Sequence, residues 1–295
     1  MHYSDILRRL GGWADVAMLA AAPVAAEQGE RPADLGAWLA RVGDRVQQYY
    51  ARAQSIVCVE TVRVQRLRSN MMPDGHTRQL VYELRIAWDS PLESGTLPEA
   101  QVVRQLLTID GRAPRAGEEP GCLDPKPVSS EPLSMLLPHQ RDRYRFSLAG
   151  TSRIDGRQTA MLDYKEKPAG PAEVTRRGNC VSMSVPGRST GRLWIDPATD
   201  DVVRLDEHLG LTEAHVPEGQ ARGGPDWIIL ERADTSIHYK PVVFSEPDET
   251  LRLPATIETL VEWRGAGSRY RLVQQYSGYK RFLTEGHVVE DPGAR

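Results

Sequence analysis

Gly187-Arg188-Ser189-Thr190-Gly191 matches the G-x-S-x-G pattern of a serine nucleophile. That pattern works when a strained strand-to-helix turn lifts the hydroxyl above a parallel sheet. Here Arg192-Leu193-Trp194-Ile195 follows and reads as a strand, so the expected structure is a polar turn. A serine hydrolase using Ser189 is the remote alternative. The seven histidines, His2, His76, His139, His208, His215, His238 and His287, form no H-x-x-x-H or other ligand pair. Asp196, Asp200 and Asp201 surround Pro197 with turn spacing rather than the ligand spacing of a calcium loop. Glu60, Glu83 and Asp163 sit on strands, with nothing to pair them at glycosidase distances. Phosphate-loop, dinucleotide and nucleic-acid signatures are missing. The sequence therefore assigns no catalytic residue, no metal ligand and no cofactor.

The three cysteines allow at most one internal pair. Cys58 lies in the apolar run SIVCVETV and reads as a small core residue. Cys122 and Cys180 both lie beside glycine in loop-like sequence and are the better candidates for a disulfide; the alternative is that all three are reduced.

These residues must be positioned by a chain of 295 residues, enough for a sizeable core without staples. The net charge of −3 gives no basic field for nucleic acid. The first 26 residues read as a secretory signal. Arg8 and Arg9 precede the apolar run Val16–Ala26, and Val24 and Ala26 suit cleavage before Glu27. The alternative is an N-terminal helix. No apolar run is long enough to span a bilayer as a helix. The expected division is signal peptide 1–26, linker 27–33, one domain over 34–283 and a tail over 284–295. The expected location is the periplasm.

Asp34 is placed to cap a helix whose apolar stripe runs through Leu35, Trp38, Leu39, Val42, Val46, Tyr49, Tyr50 and Ala53. Such a stripe needs a sheet to cover it. Strands are expected at Ile56–Arg66, Leu80–Trp88 and Val102–Ile109, the first two joined at Asp74-Gly75. Ser130–Gln140 reads as a short second helix. Arg143–Lys165 is a hairpin about Asp155-Gly156, which supplies the positive-φ positions of a tight turn. Further hairpins are expected about Asp196–Asp200 and Gly265–Gly267, and one or two strands over Pro225–Phe244. The fold class is α+β, mostly β: about ten strands in an antiparallel curved sheet over two helices.

The aromatic residues on the dry strand faces have two readings. They form a core against the Asp34 helix, or they line an unfilled cavity for an apolar ligand. The proposed lining is Tyr82, Leu84, Ile86, Trp88, Tyr144, Phe146 and Leu148.

Three features together resemble the periplasmic lipoprotein-carrier superfamily, which includes LolA, LolB and the N-terminal domain of RseB. They are the signal and Asp34 helix, the unit GRLWIDPATDDVVRLD at Gly191–Asp206, and LPATIETLVEW leading into YRLVQQYSGYKRF and ending at Phe282. The resemblance implies an antiparallel half-barrel over helices with a cavity for acyl chains, and a carrier without catalytic residues. The expectation is an exported, non-enzymatic protein binding a lipid or lipoprotein acyl chain. The alternative is an envelope sensor or interaction module that binds a protein partner.

Overall fold

The computed structural model describes residues 34–281, apart from 54, 89–99, 119, 123–130, 178–179, 217–226, 246 and 265–268. The expected signal peptide, linker and tail lie outside the described residues.

The chain opens with α1 (Leu35–Arg52), then β1 (Ile56–Leu67), β2 (Pro73–Trp88) and β3 (Ala100–Ile109). A 3-10 segment (Glu131–Leu136) and the single turn α2 (Pro138–Arg141) follow. Next come β4 (Tyr144–Ile154), β5 (Arg157–Glu166), β6 (Glu173–Arg177) and β7 (Cys180–Ser184). The remainder is β8 (Thr190–Ile195), β9 (Val202–Leu209), β10 (Thr212–His215), β11 (Trp227–Ser245), β12 (Asp248–Trp263) and β13 (Arg269–Arg281).

Asp34 caps α1 as its sequence requires: Oδ1 accepts from the backbone N–H of Gly36 at 2.8 Å and of Ala37 at 3.3 Å. The β4–β5 turn has Asp155 at φ 50° and Gly156 at φ 78°, the left-handed pair of a type I′ hairpin.

The main sheet has 11 strands in the order β3-β2-β1-β13-β12-β11-β9-β8-β5-β4, with β10 pairing β11. Its neighbours all pair antiparallel, and it ends at β3 and β4 without closing. β6 and β7 form a separate ribbon. α1 covers one face of the curved sheet. Its Trp38, Val42, Val46 and Tyr50 are buried in one cluster with Cys58, Leu84, Leu162, Leu193, Leu205 and Ile237 from six strands. Each such large apolar side chain contributes about 1.5–3 kcal/mol by burial. The β8–β9 turn fixes the helix. Asp200 accepts from the Trp38 indole N–H at 2.9 Å and pairs with Arg41, while Asp201 pairs with Arg45 at 2.6 Å. Asp196, meanwhile, accepts from the Ala198 backbone N–H at 3.0 Å, an Asx turn.

Several elements differ from expectation. The second helix is broken because Pro138 drives Leu137 to an extended conformation, with ψ 144°, between the 3-10 segment and α2. Asp74-Gly75 does not make the β1–β2 turn. That turn lies at Arg68–Met72, where Met71 has φ 66°. Gly75, at φ 72°, instead sits in β2 beside the register shift between Val64 and Arg66, since a positive-φ glycine serves a bulge as well as a turn. The short strands β6 and β10 are additional to the expected ones. Pro225–Phe244 holds a single long strand, β11.

Candidate ligand-binding groove

Alternation places six of the seven residues of the expected apolar lining, all but Trp88, on the α1 side of the sheet. Leu84 is fully buried against α1, and Ile86, Tyr144, Phe146 and Leu148 are half-buried around the same cluster. Tyr82 belongs to a second cluster with Val62, Val64, Leu80, Ile109 and Leu272, and the Arg104 guanidinium lies 3.6 Å above its ring centroid. Trp88 is the last residue of β2. α1 and the 3-10 segment occupy the space that Leu84 faces.

The large cavity described lies on the opposite face. It is a groove of about 1000 Å³ floored by β5, β8, β9, β11, β12 and β13 and walled by the β1–β2 turn. Arg192 and Trp194 alternate with Leu193 and Ile195, which point into the core, so they project into the groove. The same alternation projects Asp163, Asp206, His208, Asp234, Ser236, Glu258 and Arg271.

The floor is a ladder of paired side chains, some across strands and some two residues apart on one strand. Asp163 accepts from Arg192 Nε at 2.5 Å and Nη2 at 3.1 Å. Asp206 accepts from Arg204 Nε at 2.8 Å and Nη2 at 2.7 Å, and from Ser236 Oγ at 2.7 Å. Glu258 pairs with Arg271 at 2.5 Å. His208 Nδ1 lies 2.5 Å from Asp234 Oδ1, and Arg232 also pairs with Asp234. Burial raises the Asp234 pKa, but the hydrogen bonds from Arg232 and His208 outweigh it and hold the carboxyl below its usual value. The Trp194 ring is flanked by the guanidiniums of Arg204 at 4.7 Å and Arg192 at 5.9 Å. Leu67, Met71, Pro73 and Leu260 add an apolar wall. The groove is thus a pre-ordered polar floor beside an adaptable apolar rim, suited to a ligand with both kinds of surface.

Beneath one end, Glu207 and Tyr164 face each other at 3.4 Å, and both also line the groove. Burial pushes the pKa of each upward. Ser189 is buried beside them, with its hydroxyl close enough to both groups to oppose part of that upward shift on Glu207 and Tyr164. Strand β8 follows Ser189 directly, where the nucleophile pattern calls for a helix.

Cys122 and Cys180 are joined by a disulfide. Cys58 is free and buried, and burial together with the nearby Glu60 charge pushes its thiol up to about 12. Glu60 is fully buried; it accepts from Arg104 at 2.7 Å, Gln274 at 2.9 Å and the Tyr276 hydroxyl at 3.3 Å. Its partners hold it within the sheet, which gives it a structural role. No group of three or more metal-ligating side chains occurs among the described residues, and no described helix is long and apolar enough to cross a membrane.

No family model matches the chain, and no curated protein matches it. Solved structures do. A LolA superfamily protein from Nitrosomonas europaea aligns at 9% identity and TM-score 0.33, over 83% of this chain and 94% of that one. A domain from Vibrio parahaemolyticus described as an outer membrane lipoprotein-sorting protein aligns at 9% identity and TM-score 0.38, over 83% and 92%. A chain of the Pseudomonas aeruginosa MucA/MucB complex aligns at 12% identity and TM-score 0.21, over 84% and 98%. At these identities and TM-scores, none of these structures assigns a role to this chain.

Sequence reasoning did not bring the groove residues together. The available signal was the charge at alternate positions of adjacent strands, as in Arg204, Asp206 and His208. Which strand each of these faced depended on the sheet order.

Proposed function

We propose that this chain is a non-enzymatic binding protein whose outer groove receives a segment of a protein partner. The observation that carries this reading is the groove itself, about 1000 Å³ across strands whose other face is filled by the protein's own helix. Its paired charges are held in place before a ligand arrives, so little ordering cost is left for the bound state. The apolar rim of Leu67, Met71 and Pro73 can take hydrophobic side chains of the partner. The Cys122–Cys180 disulfide supports an oxidising compartment, such as export past residue 26 would give.

A second reading is an acyl chain or other apolar ligand between α1 and the sheet. It is favoured by Ile86, Tyr144, Phe146 and Leu148, which remain half-buried at the margins of the core. A ligand there would have to displace part of α1 or the 3-10 segment.

Native mass spectrometry of protein purified from the envelope without detergent separates the two. The first reading expects a bound polypeptide, lost in Trp194→Ala and in Met71→Asp and retained in Phe146→Asp. A lipid adduct lost only in Phe146→Asp would overturn it and establish the second.

A further inference from the structure

A second cavity, of about 350 Å³, lies at the turn end of the β1–β2 hairpin, away from the groove's floor. Val64 and Arg66 of β1 and His76 and Arg78 of β2 form one side, and Pro120, Gly121 and Cys122 form the other. Val64, Arg66 and Arg78 fall on alternate positions with Val62 and Leu80, so they lie on the inner face of the sheet. Arg66, His76 and Arg78 bring three basic side chains to the wall, and no acidic residue lines it among the described residues. Asp110 lies 3.6 Å from His76 Nε2, and Asp74 pairs with Arg68.

Two features make this a shaped site rather than a scatter of surface charge. Arg78 is fixed: its Nη1 donates to the Pro120 carbonyl at 2.5 Å, which leaves its other N–H groups to serve the cavity. The loop wall is also drawn tight. Gly121 has φ +91°, and a Cβ there would stand 3.2 Å from Arg78 Nη1. The next residue, Cys122, is tied by its disulfide to Cys180. Arg66, opposite, makes no side-chain hydrogen bond or ion pair among the described residues, so its planar fork is open to a ligand.

We propose that this cavity binds a compact oxyanion of the phosphate type, gripped by the guanidiniums of Arg66 and Arg78 with His76 at the rim. Guanidinium geometry matches phosphate oxygens bidentately, and an anion relieves the repulsion among the cations. The volume accommodates one phosphate group with several waters, each water occupying about 30 Å³. Free phosphate and a phospholipid headgroup offer the same chemistry.

The test is isothermal titration of inorganic phosphate into the oxidised protein at low ionic strength. Saturable 1:1 binding is expected, weakening as salt rises and falling at least tenfold in Arg66→Gln and in Arg78→Gln. Arg66 is exposed and has no side-chain partner among the described residues, so Arg66→Gln keeps the test sound if Arg78→Gln disturbs folding. Absence of saturable binding overturns the site, as does an unchanged affinity in Arg66→Gln of native circular dichroism. Co-sedimentation with phosphatidylglycerol vesicles, lost in Arg66→Gln, assigns the phosphate to a lipid headgroup. Phosphate binding without vesicle capture assigns it to a free ion.

Discussion

The Glu207 carboxyl shows how burial at a groove margin makes a local charge sensitive to pH. Burial raises its pKa above that of the unfolded chain, and the Ser189 hydroxyl and Tyr164, at 3.4 Å, offset this only in part. The folded state therefore holds this proton more tightly than the unfolded state does. Stability from the group is present below the ordinary glutamate value of about 4.3 and is lost as pH rises through the folded value. Glu207→Gln removes the cost of a buried charge. Thermal melts should show the variant more stable than the parent at pH 8 and equal to it near pH 4. A lower melting temperature at pH 8 would mean that the carboxylate's hydrogen bonds outweigh its desolvation.

Among the elements, the loop after β3 owes its position to one covalent tie. Cys122–Cys180 closes a separation of 58 residues and links this loop to the β6–β7 ribbon. On the chain-entropy account, a loop of that length is stabilised by about 4 kcal/mol, an upper figure. Cys122→Ser should lower the midpoint of urea unfolding accordingly, with native strand content retained in circular dichroism. Cys180→Ser should match it, and the double variant should add nothing, because either change removes the same bond. If the two single losses add, each cysteine contributes through packing instead. The α1–turn contact is a different kind of tie. Asp200 and Asp201 lie in a hairpin connection, yet their partners Trp38, Arg41 and Arg45 align on one side of the helix.

At the scale of the whole molecule, the sheet joins the two ends of the described chain. β1 pairs β13 over its full length, with Val64 opposite Leu272 and Thr61 opposite Gln275. Glu60 and Gln274, 214 residues apart, share a buried hydrogen bond through this seam. Closing so long a loop is entropically unfavourable before the pairing compensates, so folding should be slow and should require the last strand. Removing Arg269–Arg281 exposes the edges of both β1 and β12. The truncated chain should therefore lose its cooperative thermal transition and aggregate. A sharp, reversible melt in the truncated chain would show that β1, β2 and β3 are held by α1 alone.

What the sequence determined by itself was whatever depends on neighbours along the chain. The Asp34 cap and α1 stripe, the Asp155-Gly156 turn and the alternation of β4 and β5 were legible because caps, turns and strand faces are local. So was the mostly β, antiparallel class. The same local logic misplaced the β1–β2 turn, because Gly75 at positive φ suits a bulge equally well. Tertiary structure alone decided which strands are neighbours, and the groove follows from that. Asp163 meets Arg192 only because β5 pairs β8, and Asp206 meets Ser236 only because β9 pairs β11. Periodicity shows that a face is polar or apolar, but not which residue stands across from it. For that reason the apolar face could be read in the sequence while its filling by α1 could not. The polar face opposite carries a groove whose cross-strand charge pairs exist only through the register.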